Sequence, residues 1–299
     1  MKATKQTREI YQYHEVQTKK RKPWIITLFV VMILIVVSFS YLSVMLHGLK
    51  QSYQAMQLAS NENEASIVQQ MQQQQPISLL VVGIEDGIGG KLTESSASLI
   101  SLTALDAQSN GQQHILLAPD LKADSRTLGQ ILTMKDVGQL QTTAQQLLNL
   151  PIDYTIEVKL SKLRPLLDEL GGVTLQPSKT MKLENRQLAA QQSVHLTARE
   201  VMLYMQKQES EDTALLQSQR QFDVIRALLS DTIQWQKVLQ LKGKIALLQE
   251  ALTTNLPFDA LLQLGQKGYL THYLAAPNVA VNQLDAPTLR DLRQQFKRN

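Results

Sequence analysis

The apolar positions of the chain form one long continuous run near its start and shorter, alternating runs after it. Residues 24–46 contain no charged side chain, glycine or proline. At 1.5 Å per residue, a helix of this length extends about 34 Å, enough to cross a hydrocarbon core of about 30 Å. A signal peptide has a shorter apolar region followed by a small-residue cleavage site, and we find no such site here. The pattern therefore predicts one transmembrane helix at residues 24–46.

The charges beside this run predict its orientation. Residues 1–23 form a basic tail with seven Lys or Arg side chains against two Glu, whereas Lys50 is the single Lys or Arg between residues 47 and 78. Basic flanks remain on the cytoplasmic side of the membrane. We therefore expect a single-pass plasma-membrane protein with a cytoplasmic N-terminus. Residues 47–76 are rich in glutamine and end at a proline, which predicts an extracellular stalk, and residues 77–299 are expected to form the folded extracellular domain.

Within residues 77–299, runs with the period of a strand alternate with runs of helical period. Apolar or alternating runs predict strands at 77–83, 98–105, 114–118, 154–160, 173–177 and 278–284. Apolar stripes predict helices at 137–150, 161–170, 198–208, 212–235, 237–254, 258–266 and 285–296. Ser161 is the expected cap of the second helix, and Gly171 with Gly172 the expected end; Thr197 and Glu200 predict a capping box for the third. Strands followed by helices predict a single α/β domain with a mixed central sheet flanked by helices.

Composition removes several classes of function. The chain has no cysteine, which excludes disulfides, thiolate metal sites and a cysteine nucleophile. Its five histidines are scattered, so no histidine zinc site is predicted. The net charge of +4 arises from the basic tail, because the rest of the chain holds 23 basic and 24 acidic side chains. The folded domain therefore has no basic excess that would indicate nucleic-acid binding.

The segment LLVVGIEDGIGGKLTESSASLISL, residues 79–102, joins two apolar runs through a glycine-rich loop. Neither phosphate-binding motif fits it: GxxxxGK[ST] fails at positions 85 and 92, and GxGxxG fails after Gly89. Three interpretations of the loop remain open. It is a surface turn, a weak cation site formed by Glu85, Asp86 and Glu94, or a contact for the headgroup of a carrier lipid.

Residues 147–175, LLNLPIDYTIEVKLSKLRPLLDELGGVTL, resemble the central signature of the LytR–CpsA–Psr (LCP) family, envelope proteins of mostly Gram-positive bacteria. The stretches HLTAREVMLYMQ and QSQRQFDVIRALL are similar to two further family motifs in order and spacing. The resemblance implies an LCP-like extracellular α/β domain over about residues 77–299. It also implies transfer of an anionic glycopolymer, such as teichoic acid or capsule, from a polyprenyl-pyrophosphate carrier to peptidoglycan. In the family, arginines hold the pyrophosphate, acidic residues act with Mg²⁺, and an apolar groove holds the lipid.

Most of the residues that the resemblance assigns to catalysis are substituted here. Five family arginines and two family aspartates fall on other residue types, namely Glu94, Ser96, Asp120, Leu121, Gln206, Gln208 and Gln217. Arg220 keeps one arginine of the family, and Glu85 stands where the family often has aspartate, so that Glu85 is the candidate metal ligand. Candidates for contact with the lipid headgroup are Arg220, Gln206, Gln208, Gln217 and Ser96. Arg220 has a second interpretation, a helix-surface arginine paired with Asp223 or another acid, and Arg126 can approach the site from the loop after Pro119.

Three functions remain compatible with these residues. The first is an LCP protein without ordinary catalysis that binds polyprenyl-(pyro)phosphate-linked glycopolymer, assists its attachment to peptidoglycan, or modulates an active paralogue. The second is an active LCP phosphotransferase that uses a rearranged site. The third is an envelope scaffold or sensor with no lipid ligand. Each lost charge-assisted hydrogen bond is worth about 1.5–3 kcal/mol, and we therefore infer that the fold is kept and the ordinary chemistry is not.

Overall fold

The structure is a computed structural model of the 299-residue chain. It describes residues 77–85, 96–105, 114–123, 125–132, 137–206, 213–233, 245–257, 259–260, 278–281 and 286–295, with isolated helical positions between 44 and 54. The chain divides into two units, Met1–His47 and Gly48–Asn299. The predicted tail, nearly all of the predicted transmembrane run and most of the stalk lie outside the described residues. Among the residues that are described, no helix has both the length and the hydropathy to cross a bilayer.

The folded unit is built on a six-stranded sheet with the order β11-β6-β1-β2-β3-β12. Strand β1 pairs antiparallel with β2 and parallel with β6, and β3 pairs antiparallel with β2 and parallel with β12. The sheet is therefore mixed, as the sequence predicts. The strands are β1 (Ile77–Glu85), β2 (Ser96–Leu105), β3 (His114–Leu117), β4 (Lys122–Ala123), β5 (Arg126–Thr127), β6 (Tyr154–Lys159), β7 (Val173–Leu175), β8 (Met181–Leu183), β9 (Arg186–Leu188), β10 (Val194–Leu196), β11 (Leu252–Thr254) and β12 (Asn278–Val281).

Helices cover both faces of this sheet. They are α1 (Leu128–Ile131), α2 (Val137–Leu148), α3 (Leu163–Leu170), α4 (Ala198–Met205), α5 (Ala214–Ile233), α6 (Ile245–Ala251) and α7 (Ala286–Gln295). One core packs Leu79, Val81 and Leu99 against α3, α4 and α5. A second core packs Leu80 and Val82 against α1 and α2. Because successive side chains of a strand point to opposite faces, a strand covered on both sides needs a continuous apolar run, which β1 has.

Local capping signals agree with the structure at two helices. Thr197 and Glu200 form the predicted capping box at the start of α4, with both reciprocal hydrogen bonds present. Gly171 ends α3 in the left-handed region at φ 74°, and Gly172 follows at φ 100°. Both positive φ values explain why glycine occupies these two positions.

Two local predictions were wrong, and the burial of one acid was not predicted. Ser161 does not cap α3: a 3-10 turn, Leu160–Lys162, precedes the helix, whose cap position is Lys162 without a side-chain cap. The predicted helix 237–254 ends early, because residues 252–254 form the edge strand β11 beside β6. The acid whose burial was not predicted is Glu157 of β6. It is only 8% exposed, because it lies on the face of the strand that α2 covers.

Candidate functional site

One edge of the sheet collects several of the candidate residues. Strands β1, β3 and β6 run in the same direction, so their carboxyl ends meet at this edge, and β2 begins there. Glu85, the last residue of β1, is paired in register with Ser96, the first residue of β2. Asp120 follows the end of β3 in an exposed turn. Ligands of α/β proteins commonly bind at the carboxyl ends of parallel strands, which makes this edge the candidate site.

A β-bulge shapes the site where β1 meets β2. Gly83 pairs with Leu99 and Ile84 pairs with Ala97, which leaves Ser98 as an extra residue in β2. Helix α5 packs on β2, and the Ser98 hydroxyl donates to the Gln221 side chain of that helix at 3.0 Å. A side chain at position 83 would place its Cβ 2.8 Å from the Cβ of Leu99, so the close pairing beside the bulge requires glycine.

The centre of the site is the Glu85 carboxylate and two amides of α5. The Nε2 atoms of Gln217 and Gln221 each donate to Glu85 Oε1 at 2.8 Å. The two glutamines are one helical turn apart and therefore lie on the same face of α5. Burial raises the pKa of Glu85 above its ordinary value, while the hydrogen bonds from Gln217 and Gln221 act in the opposite direction. Gln217, where the family resemblance implies arginine, is a neutral partner of this acid.

Arg220 holds the end of α4 against α5. Its Nε donates to the Tyr204 main-chain oxygen at 2.8 Å, and its Nη2 donates to the Gln206 main-chain oxygen at 2.9 Å. The last carbonyls of a helix have no partner within the helix and carry its negative dipole end, so a guanidinium is a favourable cap there. Neither main-chain contact was expected from the sequence, and both interpretations made there for Arg220, a phosphate ligand and a partner of a carboxylate, stay predictions.

Asp223 instead joins three elements of the domain. Its carboxylate accepts hydrogen bonds from the main-chain N–H and the hydroxyl of Ser178 and from the Tyr204 hydroxyl, at 2.7–3.1 Å. Burial raises the pKa of Asp223, and these hydrogen bonds oppose the rise. Burial and the adjacent carboxylate also raise the pKa of Tyr204. The sequence offered one signal for Gln221, its spacing from Gln217, and none that linked Ser178 to Asp223.

The remaining candidates are more dispersed. Gln206 is exposed at the end of α4, and its contact with Arg220 uses the main chain. Leu121, where the family resemblance implies aspartate, is partly buried and packs against both cores. Arg126 is exposed in β5. Glu94, Gln208 and Asp86 lie outside the described residues, so Glu85 is the one described residue of the weak cation site that the sequence left open as an interpretation of the loop.

The described residues do not fit a Mg²⁺ site. Within that part of the chain, no three His, Asp or Glu side chains come together as a metal-binding group. The Oε1 atom of Glu85 already accepts from two amide N–H donors, which occupy both lone pairs of that oxygen and leave Oε2 outside the contact. Glu85 therefore offers a metal ion one oxygen, Oε2, which is too few protein ligands for a Mg²⁺ site among the described residues.

The LytR_cpsA_psr family profile matches residues 42–287. The chain belongs to the LytR_cpsA_psr family. It is 24% identical over 202 residues to a polyisoprenyl-teichoic acid–peptidoglycan teichoic acid transferase, TagU, of Bacillus cereus. That match covers 65% of each protein, slightly less than two thirds of the relative's length. TagU of Bacillus subtilis is 20% identical over 240 residues, which are 74% of this chain and 77% of the relative.

Solved structures of the LytR_cpsA_psr fold superimpose on the domain. Bacillus subtilis TagV gives a TM-score of 0.57 at 18% identity, covering 75% of this chain and 96% of TagV. Lmo1026 of Listeria monocytogenes, described as a putative transcriptional factor, gives 0.58 at 16% identity, covering 76% of this chain and 96% of that one. At these identities the comparisons establish the fold. They confirm the α/β domain with a mixed sheet and flanking helices.

Proposed function

We propose that this chain is a membrane-anchored LytR_cpsA_psr protein of the cell envelope that binds polyprenyl-(pyro)phosphate-linked glycopolymer, or assists its attachment to peptidoglycan, without catalysing the transfer itself. The observation that carries the proposal is the contact of Glu85 with Gln217 and Gln221. An arginine at position 217 would place a cation beside the carboxylate and toward a pyrophosphate. The neutral amide leaves the negative charge of Glu85 uncompensated by this partner.

The electrostatics of phosphoryl transfer support the loss of catalysis. Transfer from a pyrophosphate depends on positioned positive charge, because the protein contributes mainly electrostatic stabilisation to this chemistry. Five arginine positions are substituted, and the retained Arg220 uses two of its donors on main-chain oxygens. Charge-assisted hydrogen bonds are worth about 1.5–3 kcal/mol each, so the loss amounts to several kcal/mol even without additivity.

The location and partners form part of the same proposal. The basic tail and the uncharged run at residues 24–46 support a single-pass topology, with the tail in the cytoplasm and the α/β domain outside. Proposed partners are the membrane, a lipid-linked glycopolymer, peptidoglycan and an active paralogue. In a complex, that paralogue would supply the arginines that this chain lacks.

An active transferase is the second candidate. It is favoured by the names of the Bacillus relatives, which are teichoic acid transferases, and by a structural neighbour described as TagT bound to LIIa-WTA. Exposed Lys122 and Arg126 in the hairpin after β3 are the cations on which a rearranged site would depend. A scaffold or sensor without lipid ligand is the third candidate.

Mass spectrometry of lipids that co-purify with the full-length chain tests the binding function. Retention of a polyprenyl-phosphate glycolipid is the expected result, and a lipid-free protein would favour the scaffold. Turnover of a lipid-pyrophosphate glycan by the purified chain, with and without Mg²⁺, tests catalysis, and we expect none above background. Turnover that Arg220→Ala abolishes, while the exposed control Arg164→Ala does not, would establish the active transferase instead.

A further inference from the structure

The hydrogen bonds around Gln221 fix which way its amide points. Gln221 is fully buried, and its Oε1 accepts from the Ser98 hydroxyl while its Nε2 donates to Glu85. The same Nε2 lies 3.4 Å from the Met205 main-chain oxygen. A rotation of the amide by 180° would place Oε1 against the Glu85 carboxylate and the main-chain oxygen, two acceptors without a hydrogen. The Nε2 atom of Gln221 is therefore held as a donor to Glu85.

These contacts leave two acceptor atoms at the sheet edge, Oε2 of Glu85 and Oε1 of Gln217. Gln217 and Gln221 both donate to Oε1 of Glu85, so neither amide uses Glu85 Oε2. Gln217 contributes its Nε2 to that contact, which leaves its carbonyl Oε1 outside it. Both side chains are only partly buried, unlike Gln221. A ligand that reaches this edge meets carboxylate and amide oxygens, and it must bring the hydrogens.

We propose that Glu85 and Gln217 form a subsite for the hydroxyl groups of an uncharged saccharide, and that this position does not hold a phosphate. The subsite rests on the proposed function, because it names the part of a lipid-linked glycopolymer, or of the glycan acceptor, that contacts this edge. Gln221 is a positioning residue, since it is fully buried and acts on the ligand through Glu85. Gln217 determines specificity, because an arginine there would present donors and a positive charge.

The chemistry of the alternatives supports a neutral hydroxyl ligand. A fully ionised phosphate carries no hydrogen to donate and would be repelled by the Glu85 carboxylate. An ammonium group carries donors and is attracted by the Glu85 carboxylate, but this attraction is opposed by the loss of hydration of two charges in a partly buried site, so an amine is the competing ligand against which the saccharide is tested. A saccharide hydroxyl donates one hydrogen bond to an acceptor at a far lower cost of desolvation.

Ligand-observed NMR titrations of the full-length chain test this subsite with three probes: N,N′-diacetylchitobiose, inorganic pyrophosphate and glucosamine. We expect the wild-type chain to prefer the disaccharide. Glu85→Gln should weaken disaccharide binding about tenfold, since a neutral amide accepts a weaker hydrogen bond than a carboxylate. Gln217→Arg should weaken disaccharide binding and create binding of pyrophosphate. The matched control Gln146→Arg adds the same charge at an exposed position of α2, on the other face of the sheet, and should change neither affinity.

Each outcome bears on the proposal. Wild-type preference for pyrophosphate or glucosamine, equal disaccharide binding by Glu85→Gln and wild type, or binding of none of the probes would each overturn it. Thermal unfolding of every variant identifies one that does not fold, in which case the remaining variant decides. The test is separable from that of the proposed function. Retained glycolipid without disaccharide binding refutes the subsite alone, whereas disaccharide binding by a chain that never retains lipid refutes the lipid-binding function alone.

Discussion

The substitution Asp223→Ala would remove the acceptor of the hydrogen bonds that Ser178 and Tyr204 donate. Asp223 is 2% exposed, and Tyr204, which donates its hydroxyl to Asp223 at 2.9 Å, is 1% exposed. In Asp223→Ala the Tyr204 hydroxyl would remain buried without its acceptor, while the partly buried Ser178 can turn to water. The variant should therefore be destabilised mainly through Tyr204.

The magnitude follows from the three hydrogen bonds. A stranded buried donor costs about 1–3 kcal/mol, and the two lost bonds from Ser178 add about 1 kcal/mol after hydration of that residue. We expect the free energy of unfolding of Asp223→Ala to fall by about 2–4 kcal/mol. Tyr204→Phe removes the donor instead and should cost about 1 kcal/mol. In the Tyr204→Phe background, Asp223→Ala should cost about 1–2 kcal/mol less than in the wild type, because no hydroxyl is left stranded.

Urea unfolding followed by circular dichroism measures these differences, with the midpoint shifting and the slope m unchanged. The four proteins, wild type, the two single variants and the double variant, form one double-mutant cycle. An Asp223→Ala cost that is equal in both backgrounds, or one below about 0.5 kcal/mol, would refute the role assigned to this buried carboxylate.

Three further predictions concern stability. Thr197→Ala removes the capping box of α4 and should lower the free energy of unfolding by about 1 kcal/mol in the same urea assay. Gly172→Ala should lower the melting temperature more than Gly171→Ala, because a Cβ at 172 would lie 2.1 Å from the Leu196 main-chain oxygen whereas one at 171 meets open space; equal shifts would contradict this. Burial raises the pKa of Glu157, so its folded-state pKa exceeds the unfolded value and the wild type gains stability as the pH falls through that folded pKa. Glu157→Gln should therefore be more stable than wild type at pH 7, with the gain vanishing toward pH 4 in unfolding curves measured across this range; an advantage that persists at pH 4 would exclude the carboxylate charge as its cause.

The sequence predicted the elements of the domain well where the signal was local. Thr197 and Glu200 lie three residues apart and form the capping box alone, and the two glycines after α3 need only their own φ values. It failed at residues 252–254, whose strand conformation depends on pairing with β6, about a hundred residues earlier. A helical stripe cannot reveal such a partner, because tertiary pairing overrides the local preference.

The sequence predicted which residues belong to the candidate site, but it did not predict the contacts that they make. The family motifs identified Glu85 and Gln217 as altered positions, and the structure brings these two together. The role of Ser98 depends on a register shift between two strands, which no periodicity in one strand encodes. The two main-chain contacts of Arg220 could not be predicted either, because they depend on how α4 packs on α5 and the residue type of Arg220 carries no information about that packing.

The bulge at Ser98 separates two parts of the β1–β2 pair: the end that carries the candidate site and the part that packs in the core. One extra residue absorbs the offset between β1 and β2, so the pairing of Gly83 with Leu99 and of everything toward the core does not depend on the pairing of Glu85 with Ser96. Residues on the loop side can exchange charge, or gain and lose length in their connection, without moving the apolar side chains behind them out of register. With this bulge, the residues of the candidate site can change while the register of the core strands stays the same.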